Sequence, residues 1–284
     1  MWATGLWVQT VTLLGFSLLV LLAGSRAFRH GLLPAGHPPP SNLTESDALI
    51  AFGLLLVAVG SLQGGTYALD AYLGGTAWRR APSVRLLLGI SPTGLGALIV
   101  LAVSALRNPP PSGTPLRALG LRSAAPAKDL GRGLSLYVAA YPGVIAVIVL
   151  WGTILDRLGV KVQPQEVVKI LLARQAWFEM AASVAVAVLV APLFEEMIFR
   201  GFLLPALSRR LGAPGAVVLT ATLFGLLHGP AYAGPTLALG LLLGWLYWRT
   251  GRLWVSVGCH GAHNAAALVA AWLSLSQPGP PGTP

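Results

Sequence analysis

MAASVAVAVLVAPLFEEMIFR, residues 180–200, is the stretch whose reading decides the fold. From Met180 to Phe194 it carries no charge, and Glu195 and Glu196 then follow directly on the apolar run. Such a run calls for a solvent other than water, and a helix that crosses a bilayer needs about 20 apolar residues. Six further charge-free runs surround it, at 6–25, 48–69, 86–106, 134–155, 211–248 and 253–284. The run 211–248 is long enough for two spans and holds turn signals at Gly229-Pro230 and Gly234-Pro235. These runs predict an all-α, polytopic integral membrane helical bundle of about eight transmembrane helices.

Composition supports the same class. Of 284 residues, 55% are hydrophobic and only 10% are charged, less than half the roughly 25% charge of a soluble globular domain. The net charge of +10 comes from 16 Arg and 3 Lys against 9 acids. With no basic cluster interleaved with aromatics, that excess fits loops meeting anionic lipid, and nucleic acid is not expected as a partner. The single cysteine, Cys259, excludes an intramolecular disulfide and any cysteine-based zinc cluster. The run 6–25 has no basic segment before it and is read as a retained span. The preference for Arg over Lys and the Ala/Gly-rich usage suggest a GC-rich bacterial genome and a bacterial cytoplasmic membrane.

Along the chain, residues 1–179 form an N-terminal transmembrane region to which the sequence assigns no role. Proline-rich connectors hold His30 and His37, read as solvated. Residues 156–179 mix charged and apolar positions like an interfacial amphipathic helix. Residues 180–275 concentrate the chemistry, and 276–284 read as a disordered Pro/Gly tail. Phosphate-cradling glycine motifs, the zinc signature His-Glu-x-x-His and the Gly-x-Ser-x-Gly elbow are all absent.

Seven of the nine acids lie in connectors or at span edges, which makes Glu195 and Glu196 the anomaly. A carboxylate in the middle of a span costs at least ~2.5 kcal/mol on insertion scales, so it faces a cavity or a partner. Arg200 lies four residues after Glu196, on the same helical face with the acid N-terminal, and their charges can cancel. Glu195 sits about 100° around the helix and is left as the free carboxylate. The plain alternative is an interfacial charge cluster.

Depth follows from counting. Glu195 precedes Arg209 by about 21 Å of helical rise, and His228 follows Pro214 by the same length, so the two should be level on antiparallel neighbours. His260 and Asn264 lie about 12 and 18 Å in from Arg252 and share a helical face, which His263 shares in part. Cys259, Met180 and Met197 read as packing.

These residues resemble a known family. Glu195-Glu196-x-x-x-Arg200, Phe224-x-x-x-His228 and His260-x-x-x-Asn264 look like the three ordered motifs of the CPBP family, which includes the CAAX prenyl proteases and Abi-type proteins. The resemblance implies an intramembrane endopeptidase acting on a membrane-associated protein or peptide. It makes Glu195 the general base, His228 the residue that shares its water, and His260 with Asn264 the oxyanion site, with Glu196 and Arg200 as structural support. The family is often labelled metalloprotease. Zinc, held by Glu195, His228 and His260, is the alternative to the preferred metal-free version, because Glu196 is committed to Arg200 and no second carboxylate is left as base.

Rival readings are a non-catalytic membrane scaffold or chaperone and a proton-coupled transporter, although the transporter predicts repeated halves that the sequence does not show. A Ser256/His260 dyad leaves Glu195 and His228 without a role. Connectors on the Arg209-Arg210 side carry 11 Lys and Arg against 7 on the other, which places that side in the cytoplasm. CAAX proteases act on cytosolic substrates and point the other way, so orientation stays open, as do oligomeric state and substrate identity.

Overall fold

The structure, a computed structural model, describes residues 41–76, 82–108, 114–160, 162, 168 and 177–275. The expected span 6–25, both proline-rich connectors' histidines, most of the expected interfacial helix and the tail 276–284 lie outside the described residues. Regular structure is entirely helical, with no strand among the described residues. We label the helices α1 (Glu45–Tyr72), α2 (Pro82–Arg107), the short α3 (Pro115–Ala118), α4 (Pro126–Arg157), α5 (Trp177–Ala185), α6 (Ala191–Glu196), α7 (Leu204–Leu227), α8 (Ala233–Thr250) and α9 (Leu253–Leu275). π-Helical stretches, Val186–Val190 and Met197–Leu203, stand on either side of α6.

Among the described residues, four helical stretches are long and apolar enough to cross a membrane by length and composition: Glu45–Tyr72, Leu87–Arg107, Pro126–Arg157 and Trp177–Leu227. Their outward faces carry large apolar side chains; Leu49 is 72%, Val57 68%, Leu106 81% and Trp177 80% exposed. Leaving such a side chain in water forfeits about 1.5–3 kcal/mol, a penalty that lipid removes. The stretch Trp177–Leu227 has 51 residues, about 77 Å of helix, which is more than twice a hydrocarbon core. Gly212 breaks it with φ 67° and ψ 169°, a conformation open to glycine, so two helices meet there in place of one continuous run. The run 211–248 divides at the first of its turn signals: α7 ends at Leu227, Gly229 takes φ 78°, and α8 begins at Ala233, so that Gly234-Pro235 lies in the first turn of a helix.

Sequence explains the helix ends. Thr44 caps α1 with a reciprocal box in which Thr44 accepts from the Asp47 backbone and Asp47 accepts from the Thr44 backbone. Gly251, in the left-handed region at φ 63°, closes α8. Arg107 pairs with Asp47 at 2.6 Å, Arg252 and Arg132 pair with the buried Asp129 at 2.9 Å, and Arg209 donates to the Ser41 carbonyl at 3.3 Å. These bonds join the start of α1 to the end of α2, and the start of α4 to the turn between α8 and α9.

Small residues set how closely the helices approach. α4 and α9 pack against each other, and a Cβ on Gly133 would collide with the Val255 carbonyl oxygen, one on Gly258 with that of Leu130. Small-residue seams of this kind let backbones touch in a membrane. Gly258→Val is expected to push the helices apart and cost about 1–3 kcal/mol; thermal unfolding in detergent checks it, and an unchanged midpoint would mean that the seam is not as close as described.

Candidate active site

Pro192 has no backbone N–H to donate to the preceding turn, and the helix there widens: the Ala191 N–H reaches back five residues to the Val186 carbonyl. After α6 the Leu204 N–H again reaches back five, to Phe199. Glu195 and Glu196 therefore sit on a short α-helical segment between two π-helical ones, a feature frequent at functional sites.

Glu196 and Arg200 form the ion pair that their spacing predicts. Arg200 Nη1 donates to Glu196 Oε1 at 2.8 Å, and neither side chain is exposed at all. Arg200 Nη2 donates to the Gly240 carbonyl at 3.1 Å. That carbonyl is within reach because Gly240 lets α8 lie against α7; a Cβ there would be 3.0 Å from the Ala221 Cα. The guanidinium also lies 4.8 Å from the Phe224 ring centroid and 5.7 Å from that of Phe199, a stacked position suited to a desolvated cation. Glu196 Oε2 and Arg200 Nε are buried with no hydrogen-bond partner.

The third member comes from α9. His260, almost fully buried, lies with its Nδ1 3.0 Å from the same Glu196 Oε1, within hydrogen-bond distance. Its Nε2 lies 3.7 Å from Glu195 Oε2, whose side chain is 19% exposed. Glu195, Glu196, Arg200 and His260 are thus one contiguous group, with Glu195 at its accessible edge. The sequence expectation placed His260 on an oxyanion site with Asn264; its bond to Glu196 requires the relative rotation of α6 and α9, which no one-dimensional spacing records.

Phe224 is the hub that the sequence reading left without a role. Its ring meets Phe199 at 5.1 Å, His228 at 4.5 Å and His260 at 5.6 Å between centroids. Its place four residues before His228 was the signal available. His228 is the C-cap of α7, not a mid-helix residue, and its Nδ1 donates to the Phe224 carbonyl at 2.7 Å. Nε2 is then the ring atom left to accept. No hydrogen bond joins His228 to Glu195 directly; Phe224 and His260 stand between them in the chain of contacts.

Asn264 donates a side-chain N–H to the Ala187 carbonyl at 2.8 Å, in the first π-helical stretch. Gly261 permits that approach, since a Cβ there would lie 2.6 Å from the Val188 carbonyl oxygen. His263 turns to α4, where its Nδ1 is 3.3 Å from the Tyr137 hydroxyl. Ser256 spends its hydroxyl on the Leu243 carbonyl at 3.2 Å, so the Ser256/His260 dyad has no hydrogen bond. Among the described residues no group of three His, Cys, Asp or Glu side chains is placed to hold a metal ion, so Glu195, His228 and His260 do not fit a zinc set as they stand.

What this arrangement can do chemically is limited and specific. One carboxylate, Glu196, is neutralised by a buried cation, and a second, Glu195, is accessible and faces an imidazole nitrogen. A carboxylate beside an imidazole nitrogen is an arrangement able to take a proton from water. The stretch that carries these residues, 177–266, matches the family described as type II CAAX prenyl endopeptidase Rce1-like, in agreement with the CPBP resemblance. No curated protein and no solved structure matches the chain.

Proposed function

We propose that this integral membrane protein is an intramembrane endopeptidase that hydrolyses a peptide bond of a membrane-associated protein or peptide. The observation that carries the reading is the buried Glu196, Arg200 and His260 group with Glu195 at its open edge, lying within the stretch similar to the Rce1-like endopeptidases. Glu195 takes a proton from water as the hydroxyl oxygen attacks the carbonyl carbon. His228, with Nδ1 tied to the Phe224 carbonyl, offers Nε2 to orient that water. Asn264 has a second amide N–H for the oxyanion, beyond the one given to Ala187. When the C–N bond breaks, the electron pair leaves with the amine, which takes up a proton equivalent to the one removed from water. A bacterial cytoplasmic membrane and a bundle of about eight spans complete the proposal.

The test compares membrane proteomes of cells carrying the wild-type protein and Glu195→Ala. A peptide terminus present only with the wild type supports cleavage and names the substrate. Identical termini, with both proteins inserted and folded, would favour a non-catalytic scaffold.

No step here runs through a metal. The purified protein is accordingly expected to keep its activity after prolonged chelation, with well under one zinc per chain by elemental analysis. Stoichiometric zinc lost together with activity, and both restored by added zinc, would replace this mechanism with a zinc-based one.

A further inference from the structure

We propose that Glu196, beyond neutralising Arg200, is the positioning residue that fixes His260 with its proton on Nδ1, so that Nε2 exchanges a proton with Glu195. The inference rests on the peptidase reading above and concerns how its proton travels.

Glu196 is fully buried and receives a guanidinium N–H at 2.8 Å on the same oxygen that faces His260 Nδ1 at 3.0 Å. That oxygen accepts the arginine N–H, and it meets His260 Nδ1 as an acceptor as well. The ring nitrogen facing it must therefore carry a hydrogen. In a neutral imidazole only one nitrogen does, so Nε2 is left with a lone pair. Nε2 lies 3.7 Å from Glu195 Oε2, and such catalytic separations commonly shorten in the substrate complex. Phe224 holds the ring from the side at 5.6 Å, and at 2% exposure His260 has little room to flip.

This changes what His260 can do. A neutral His260 held this way has no N–H to offer an oxyanion from Nε2. It gains one only by accepting a proton, and Glu195, once it has taken a proton from water, is the neighbour that holds one. The path is then water to Glu195 Oε2, Glu195 to His260 Nε2, and His260 Nε2 to the leaving amine as the C–N bond breaks. Each proton released is consumed, and both Glu195 and His260 return to their starting forms. While it holds that proton, the imidazolium stands against the Glu196 carboxylate, which stabilises it as a carboxylate stabilises the histidine of a hydrolytic triad.

Two measurements on the full-length protein in detergent or lipid test this. The first is nitrogen NMR of histidine-labelled wild-type protein, with the His260 signals identified by their loss in His260→Gln. A hydrogen on Nδ1 and none on Nε2 is expected in the resting protein; a bare Nδ1, or a hydrogen on Nε2, would overturn the proposal whether or not activity is found. The second is the kinetics of Glu196→Gln/Arg200→Met, which removes both buried charges and so leaves none stranded. If Glu196 serves His260, kcat falls by roughly a hundredfold or more with KM within about threefold of the wild type. Recovery of kcat in the double variant to within about threefold of the wild type would mean that Glu196 only balances Arg200. Failure of the peptidase reading looks different, since Glu195→Gln would then cleave as well as the wild type.

Discussion

Glu195→Gln is expected to lower cleavage by about 10²–10⁴-fold, the usual contribution of a positioned base, in a protein that still folds and inserts. Two observations separate chemistry from stability at this residue. Its side chain is 19% exposed and lies 3.7 Å from His260 Nε2, so the amide replaces the carboxylate without stranding a buried charge. The substitution keeps the shape and removes the basicity. Turnover of a reporter peptide in lipid vesicles, together with the thermal midpoint, checks both halves. Wild-type turnover by Glu195→Gln would move the base to another residue, and an equal loss of stability and activity would make Glu195 structural.

The elements most legible in the sequence are those that answer to lipid. Charge-free runs became helices because a bilayer core leaves backbone groups no other partner, and the described spans at 48–69, 86–106 and 134–155 lie inside α1, α2 and α4. The Glu196 and Arg200 pair was legible for a different reason: four residues of helix carry a fixed geometry, and here the pair forms at 2.8 Å although Arg200 lies in a π-helical stretch. His228 shows where counting stops working. A steady rise per residue put it inside a span, but the helix ends at Leu227 and His228 caps it, because Gly229 turns the chain through the left-handed region. Asn264 and His263 depend on which neighbour each face of α9 meets. The pattern four apart grouped Asn264 with His260, yet Asn264 is held by a carbonyl of the first π-helical stretch and His263 by Tyr137 of α4. Tyr137 had no sequence signal at all. It reaches His263 because Gly133, one turn earlier, lets α4 lie on α9, and a glycine inside an apolar run does not say which helix it will touch.

Arg200→Met is expected to be the most damaging single change to stability, by about 3–5 kcal/mol, the cost of leaving one charge of a buried pair without its partner. Glu196 would lose the stronger of its two donors and remain fully buried with Oε2 still unpartnered. The Gly240 carbonyl would lose its donor, and Phe224 its stacked cation. Net stabilities of folded domains are about 5–15 kcal/mol, so a loss of that size is visible as a fall in folded yield as well as in the unfolding midpoint. Glu196→Gln strands the other charge and should also destabilise, whereas Glu196→Gln/Arg200→Met leaves no ion behind and should recover much of the loss. A double-mutant cycle on unfolding free energies reads the difference directly, and contacting charged residues usually couple by about 0.5–3 kcal/mol. Additive effects within about 0.5 kcal/mol would place the two side chains apart. That result would remove the frame on which His260 is set, because the carboxylate oxygen that faces its Nδ1 is the one that Arg200 also holds.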